Sequence, residues 1–320
     1  MSTVGFGPLW RVDGPPPLAP TYGLLQAAEV PAAGVQIIPD LDVTLNAGEA
    51  AARGLLGDQS AGQERWINGV EVYPYPPDLG DVFDPCAGSG SASHLKGFGS
   101  DLDHPQFGAM TVWLAETCTS YKVWNQQQFI ARATAALSAV EGPTIAKEFL
   151  SGTRLPNNRF LADGNGTFPN GDTVTSVVNG LGILEGEIAK SGKQGLIHCS
   201  PMAATAMRDR FTVDNKTGVL RTINGIVVIP DFGYVLGATP LGHTDPAATQ
   251  EWMYATGPVE IRRGAMFTTP ETVEEALDRG TGATNGKANS ITYRAERYYL
   301  VDWDTEVQAA VLVDRCQTTC

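Results

Sequence analysis

The sequence predicts an α+β protein, and three observations support this prediction. The 36 Gly and 21 Pro residues make up about 18 % of the chain, against roughly 12 % in average proteins, which argues against a helical bundle or coiled coil. One long helical pattern covers residues 125–150. Runs of β-branched and aromatic residues, which are typical of strands, lie on both sides of that pattern.

The composition restricts the class of partner. Hydrophobic residues make up 42 % of the chain, enough for a sizeable core, and 35 acidic and 22 basic residues give a net charge of −13. A chain this acidic, with no block of Lys or Arg, is not expected to read nucleic acid through a broad surface. No apolar run is long enough for a membrane span, and the first ten residues lack a signal-peptide pattern. The five cysteines are scattered and odd in number, which favours reduced thiols in a cytoplasmic protein.

Residues 1–60 contain little regular pattern. Gly and Pro recur through the first twenty positions and disfavour both helix and central strand there. Only Asn46–Leu56 has a composition that suits a short helix. An irregular arm of this length normally frays unless something holds it, and neighbouring subunits would be a natural support.

Two strands are predicted within residues 64–75 and 107–123, with about thirty residues rich in Pro, Gly, Ser and Asp between them. The apolar side chains that follow the two-residue period of a half-buried strand are Val70, Val72, Met110, Val112 and Leu114. We interpret the segment as an antiparallel pair that carries a long projecting loop.

The strongest helix is predicted for residues 125–150, with Asn125 able to cap its N-terminus. One apolar face is formed by Phe129, Ala133, Ala136, Leu137 and Val140. Pro143 lacks an amide hydrogen, so we expect a kink there. We expect the apolar face to pack on two long strands predicted within 257–267 and 291–302.

The region 172–290 has an α/β pattern. A helix from Thr175 to Lys190 is predicted to end near Gly192, and a short apolar strand, 195–199, follows it. A second helix begins at Ser200-Pro201, where Pro favours the first turn. Ile226–Ile229 is continuously apolar, as expected for a strand buried on both faces. Residues 306–313 are predicted to form a last strand.

No set of residues makes a convincing active site. The glycines at 180, 182 and 186 lack the spacing and the preceding strand of a dinucleotide-binding loop, so close helix packing is favoured. A calcium loop beginning at Asp163 fails at the required Gly and at its twelfth position. His198 and Cys199 are neighbours on a strand and therefore point to opposite faces, which excludes a thiolate–imidazole pair. We therefore predict no catalytic, cofactor-binding or metal-ligating residue.

Three weaker candidates remain. Cys316 and Cys320 could supply two zinc ligands, but the second pair of a structural site is absent. The remaining histidines lie in predicted loops, with no carboxylate partner that the sequence can assign; they are His94, His104 and His243. An aromatic group near the last strands is more consistent with sheet-face or interface anchors than with a ligand cage; it contains Tyr298, Tyr299 and Trp303.

Six phrases of the sequence carry a resemblance. They are GPLWRVDGPPP (7–17), TYGLL (21–25), FDPCAG (83–88), GLIHCSP (195–201), QEWMYATGPVEIRRG (250–264) and YRAERYYLVDWDTEVQAAVLVDRC (293–316). These phrases look like those of actinobacteriophage major capsid proteins. The order of predicted elements is similar to the Hong Kong 97-type fold of tailed double-stranded DNA phages.

The resemblance implies a division of the chain into an arm, an extended loop (the E-loop), a peripheral (P) domain and an axial (A) domain. The segments are the N-terminal arm 1–60, the E-loop hairpin 61–124, the P-domain spine helix and its connection 125–171, the A-domain 172–250, the P-domain long strands 251–304, and the final A-domain strand with the C-terminus 305–320. In this family the arm and E-loop reach onto neighbouring subunits. The expected intersubunit contacts are Trp10, Arg11, Tyr22, Tyr73, Tyr75, Phe83, Lys96 and Phe98.

The function implied is that of a major capsid protein, which is not an enzyme and needs no cofactor. It would self-assemble through hexameric and pentameric capsomers into an icosahedral head enclosing DNA, without sequence-specific binding and without a membrane. Portal, scaffolding and decoration proteins are further candidate partners, and the chain would reside in the virion capsid after assembly in the host cytoplasm. Many relatives carry an N-terminal scaffolding domain; this sequence begins at its arm, so scaffolding is expected from another protein or is dispensable.

Two alternatives stay open at this point. An encapsulin-type nanocompartment shell would share the fold and enclose cargo enzymes. A soluble hydrolase or thiol enzyme with an unrecognised site belongs to a different class, and a monomer or dimer in solution would favour it.

Overall fold

The structure is a computed structural model, and the residues it describes are 20, 22–29, 35–38, 70–71, 105–118, 126–214, 217–234, 238–269, 277–278 and 290–316. These residues contain helices and strands in three sheets, which confirms the predicted α+β class. The chain divides into two compact units. In the described part of the chain, no helix is both long and apolar enough to cross a membrane.

The first half of the chain supplies short elements and one long helix. They are α1 (Leu24–Ala28), β1 (Val35–Ile38), β2 (Val70–Glu71), β3 (Gln106–Phe107), β4 (Met110–Cys118) and α2 (Gln126–Ser151). β2 and β3 form an antiparallel two-stranded sheet, with Val70 opposite Phe107. This pairing supports the predicted antiparallel hairpin, whose intervening residues 72–104 lie outside the described part of the chain.

The second half supplies the remaining elements. They are β5 (Thr175–Ser176), α3 (Val177–Ser191), β6 (Leu196–Cys199), α4 (Pro201–Ala206), β7 (Phe211–Val213), β8 (Leu220–Thr222), β9 (Val227–Pro230), β10 (Gln250–Thr256), β11 (Val259–Arg263), β12 (Phe267–Thr269), β13 (Leu277–Asp278), β14 (Ser290–Trp303) and β15 (Gln308–Asp314). A seven-stranded sheet has the order β5-β15-β10-β6-β9-β8-β7. A six-stranded sheet has the order β1-β11-β14-β12, and β13 and β4 also pair with β14.

The described residues of one unit lie within Trp113–Val140 and Phe267–Glu296, and they include the N-terminal part of α2. Phe129, Ala133 and Leu137 of the helix are buried, and the Phe129 ring stacks 6.0 Å from that of Tyr293 on β14. The predicted packing of the helix on this strand is therefore confirmed.

Val140 does not belong to the buried face, because 38 % of it is exposed. Burial instead follows every fourth residue along α2, through 129, 133, 137, 141, 145 and 149. A step of four residues rotates about 40° more than one full turn of the helix, so the row of buried residues winds slowly around the helix axis. Val140 does not belong to this row. The helix continues through Pro143 to Ser151.

The other unit contains the seven-stranded sheet, and α3 packs on one face of it. Ser176 caps the helix by accepting a hydrogen bond from the Asn179 amide, and Gly192 ends it in the left-handed conformation, with φ 66°. A Cβ atom on Gly180 would lie 2.4 Å from Val313 Cγ1, so close packing is confirmed for this glycine. Gly182 has no neighbour within 4 Å of such an atom.

Three further predictions for this unit are confirmed. The strands predicted at 195–199 and 226–229 are β6 and β9, and both are buried throughout. They are parallel neighbours in the sheet. α4 begins at Pro201, with the Ser200 hydroxyl accepting from the Ala203 amide as its N-cap.

Two features of the secondary structure differ from the predicted elements. The arm predicted to be irregular contains α1 and β1, and β1 pairs in parallel with β11. A strand at 250–256 was not expected, yet β10 pairs with both β6 and β15. The chain passes from the seven-stranded to the six-stranded sheet at residues 257–258, where a Cβ on Gly257 would lie 2.7 Å from the Asp304 Cβ.

Candidate functional site

Most of the expected intersubunit contacts cannot be placed. Tyr22 is described, whereas the others lie outside the described residues; these are Trp10, Arg11, Tyr73, Tyr75, Phe83, Lys96 and Phe98. Their contacts with a neighbouring subunit stay predictions.

Tyr22 precedes α1 and is half-buried against its own chain. Together with the start of α1 it borders a small cavity of about 50 Å³, whose other walls are residues 217–220 and β9. Partial burial raises the pKa of the Tyr22 hydroxyl above its usual range. A contact from Tyr22 to another subunit would therefore use the part of its ring that this packing leaves exposed.

A buried carboxylate holds α1 against the seven-stranded sheet. Asp231, which follows β9 and is 1 % exposed, accepts a hydrogen bond from the Leu24 amide at 2.7 Å and from the Gly233 amide at 2.6 Å. A Cβ on Gly23, whose φ is 148°, would lie 2.4 Å from Asp231 Oδ2, so the approach requires glycine. Burial raises the pKa of Asp231 to about 6.

Within the arm that is expected to reach onto neighbouring subunits, residues 22–29 pack on their own chain. In residues 22–29, Leu24, Leu25 and Ala28 are buried within their own chain. The reason is that the short apolar run Leu24–Ala28 packs on its own chain and is held there by the hydrogen bond from the Leu24 amide to Asp231. The rest of the expected reach, residues 1–19 and 76–104, lies outside the described part.

The buried histidine and thiol are structural. His198 Nδ1 lies 3.1 Å from the Tyr234 hydroxyl and Nε2 lies 2.8 Å from Thr256 Oγ1, while the ring packs edge-on against Phe149. Cys199 points into the apolar cluster beneath α3, so the predicted opposite orientation is confirmed. Burial lowers the pKa of His198 to about 3 and raises that of the Cys199 thiol well above its usual range, so neither group ionises near neutral pH.

The structure assigns a carboxylate partner to one loop histidine that the sequence left without one. His243 Nδ1 lies 2.7 Å from Asp172 Oδ1, and the Thr244 hydroxyl donates to the other oxygen of that carboxylate at 2.9 Å. The His243 ring stacks 3.8 Å from Phe168, and Trp252 Nε1 donates to the Thr244 carbonyl. The hydrogen bond from His243 lowers the pKa of Asp172. This cluster fastens the loop before β10 to residues 168–173.

Asp163 and two aromatic residues of the last strands have structural roles. Asp163, the first residue of the rejected calcium loop, is bonded to Arg159 at 2.6 Å and to Gln308 at 2.9 Å. Tyr299 and Trp303 are buried in the sheet, as expected for sheet-face anchors. Within the described residues, no three His, Cys, Asp or Glu side chains are grouped to hold a metal ion.

Exposed apolar side chains mark further surfaces. Ile223, 78 % exposed, stands on the turn between β8 and β9. Trp113, 57 % exposed, stands on β4, where the Arg294 guanidinium lies 5.2 Å from the centre of its ring. Trp113 is not among the residues predicted to form contacts, although it occupies the outward phase of the two-residue pattern of Met110, Val112 and Leu114. A large aromatic residue in that phase was the available signal.

No family model matches the chain, and no curated protein matches it. Among solved structures, a chain of Microbacterium phage Oxtober96 is 11 % identical, with a TM-score of 0.48 over 97 % of this chain and 96 % of that chain. The capsid of a native GTA particle is 12 % identical, with a TM-score of 0.44 over 85 % and 99 %. The holo-SrpI encapsulin complex from Synechococcus elongatus is 14 % identical, with a TM-score of 0.41 over 86 % and 98 %. At these identities and TM-scores, the likeness assigns the chain to no family.

Proposed function

We propose that the chain is a major capsid protein that self-assembles into the icosahedral head of a tailed bacteriophage and encloses its double-stranded DNA. The observation that carries the proposal is the order of elements along the chain. A hairpin base is followed by the 26-residue helix α2, a mostly buried sheet, the long strand β14, and a last strand, β15, that returns to the earlier sheet. This order of elements is similar to that of the Hong Kong 97-type fold of tailed double-stranded DNA phages.

The absence of catalytic geometry around the buried titratable groups supports a structural role. His198 and Cys199 are held neutral by burial and face different surroundings. Asp231 is occupied by two backbone amides. These groups stabilise the fold, and none of them is an exposed nucleophile. In this proposal the chain is a structural protein and not an enzyme.

In this proposal, the seven-stranded sheet belongs to the A-domain and the six-stranded sheet with α2 to the P-domain. The A-domain would then include β10 and end at residues 257–258, where the chain changes sheets. Subunits would form hexameric and pentameric capsomers, with portal, scaffolding and decoration proteins as additional partners in the virion. The net charge of −13 suits a shell that encloses DNA without binding it tightly.

The contents of particles isolated from the natural source test this proposal against the encapsulin alternative. The capsid proposal predicts particles containing nuclease-protected double-stranded DNA and a portal. Particles that contain a protein cargo and no DNA would instead support the nanocompartment. A chain that sediments only as a monomer or dimer would contradict both shell functions and favour the enzyme.

A further inference from the structure

A short segment near the N-terminus is fastened to its own chain at both ends. We name residues 22–29, which contain α1, the strap. At one end the Leu24 amide donates a hydrogen bond to the buried carboxylate of Asp231. At the other end Glu29 Oε1 lies 3.2 Å from Arg263 Nη1 of β11, in an ion pair whose side chains are 56 % and 30 % exposed. Exposed ion pairs contribute little and are screened by salt, so Asp231 is the main polar attachment of the strap.

The packing between these two attachments is sparse. α1 has only five residues, too few for a helix to be stable without tertiary contacts. Leu24, Leu25 and Ala28 are buried, but the cavity of about 50 Å³ lies between the strap, residues 217–220 and β9. Gln26 Oε1 is buried and has no hydrogen-bond partner among the described residues. A short helix beside a void and an unpaired polar atom is typical of segments that open locally before the whole fold does.

Asp231 makes the attachment sensitive to pH. Among the described residues, no cation forms an ion pair with its carboxylate, and two backbone amides are its hydrogen-bond donors. Burial outweighs these hydrogen bonds and raises the pKa of Asp231 to about 6. When the strap leaves, water reaches the carboxyl group and its pKa returns towards the ordinary value of 3.8. The attached state therefore holds the proton more tightly than the detached state, and attachment weakens as pH rises through about 4 to 6.

The other titratable groups beside Asp231 stay neutral in this pH range. The Tyr234 hydroxyl is bonded to His198, and the Asp231 amide donates to the Cys199 carbonyl. Burial raises the pKa of Tyr234 and of the Cys199 thiol and lowers that of His198 to about 3. The pKa of Tyr22, on the strap, is also raised by burial.

The remaining charged groups lie on the strap or on the elements beside it. β1 and β9 contain no titratable residue, and Glu260 and Arg262 of β11 pair with each other on the side of the strand that carries Asp302. The charged residues of the strap, β8, β11 and residues 141–147 of α2 that are left are Glu29, Glu141, Lys147, Arg221 and Arg263. None of them is bonded to Asp231. Glu29 is the one carboxyl group carried by the strap itself, so it is the alternative source of a pH dependence.

We propose that the strap is a pH-sensitive device, which detaches from the seven-stranded sheet while the rest of its unit stays folded and does so more readily at neutral than at acidic pH. Detachment would uncover the apolar surface beneath Leu24, Leu25 and Ala28. This behaviour does not depend on the shell function, because every group involved lies within one compact unit of a single chain.

Hydrogen exchange of the purified full chain, measured by mass spectrometry between pH 4 and pH 7, tests the proposal. The protection factor, which is corrected for the intrinsic effect of pH on amide exchange, is compared between a peptide covering the strap and one covering β6. Protection of the strap should be at least about tenfold lower than that of β6 at every pH. It should fall about 50-fold from pH 4 to pH 7, the change that a pKa of about 6 when attached and 3.8 when detached requires.

Two variants assign this change to its source. Asp231→Asn keeps the shape of the side chain but does not titrate, so protection of its strap should change less than about threefold over the same range. Glu29→Gln is the matched control, because it removes the other carboxyl group at the strap and should leave the fall at about 50-fold.

Three results would overturn the proposal. Equal protection of the strap and β6 at every pH would show that the strap opens only when the whole unit unfolds. A fall that persists in Asp231→Asn, or one that disappears in Glu29→Gln, would assign the pH dependence to another group. If Asp231→Asn does not fold, Gly23→Ala replaces it, because its methyl group would meet Asp231 Oδ2 and should lower protection of the strap at least about fivefold with β6 unchanged. Unchanged protection of the strap in that variant is the third contradicting result.

Discussion

At the residue scale, burial raises the pKa of two carboxyl groups, those of Asp231 and Asp302. Asp302 on β14 is 2 % exposed, and burial raises its pKa to about 6 although Arg262 Nη2 lies 3.4 Å away. A raised pKa means that the folded state holds its proton more tightly than the unfolded state does. The contribution of Asp302 to the free energy of unfolding is therefore largest at low pH and is lost as pH rises through about 4 to 6.

Asp302→Asn should remove this dependence. The difference in unfolding free energy between wild type and variant should fall by about 1–3 kcal/mol from pH 4 to pH 7. Urea denaturation of unassembled subunits across that pH range measures it. Parallel pH curves for the two proteins would show that Asp302 does not titrate in this window.

Leu137 and Val140 form a second test at this scale. Leu137 is fully buried on α2, whereas Val140 is 38 % exposed three residues later. Leu137→Ala should lower the free energy of unfolding by about 2–5 kcal/mol, because it leaves a cavity. Val140→Ala is the control on the same helix and should cost less than about 1 kcal/mol. Equal costs would contradict the orientation of α2.

At the element scale, two glycines of α3 should respond in opposite directions to the same substitution. Gly180→Ala brings a methyl group against Val313 and should destabilise the fold by about 1–3 kcal/mol. Gly182→Ala places its methyl in open space and should stabilise the helix by about 0.4–1 kcal/mol. Thermal unfolding of both variants measures the difference. Destabilisation of similar size in both would mean that α3 does not pack on β15 through Gly180.

The elements predictable from sequence are those whose signals are local. α2 has a long apolar repeat, α3 ends in a glycine with φ 66°, and β9 is a continuous apolar run. β1 was missed because it is stabilised by β11, more than 200 residues away. β10 was missed because both of its faces are buried, which removes the alternation that marks a strand.

The candidate surfaces were less predictable for a related reason. The sequence indicates which residues can make contacts, but not which of them their own chain already uses. Tyr22 looks like a free aromatic residue in an irregular arm, yet it lies beside a helix that Asp231 holds in place. Trp113 reads as one more strand residue, and its exposure depends on α2 covering the opposite face of its sheet.

At the scale of the whole molecule, we expect the shape of the contacts to contribute more to assembly than charge. Charged residues make up only 18 % of the chain, and exposed ion pairs contribute about 0–1 kcal/mol each and are screened by salt. Assembled particles should therefore persist in about 1 M NaCl, where the Debye length is only about 3 Å. Sedimentation across a salt series checks this, and dissociation into capsomers at high salt would show that charge holds the particles together.

The central claim is that this chain builds closed shells, and negative-stain microscopy of the purified full chain tests it most directly. The account predicts closed, icosahedral particles of uniform diameter, in which many individually weak contacts are multiplied. A homogeneous population of monomers or dimers at all protein concentrations would contradict it.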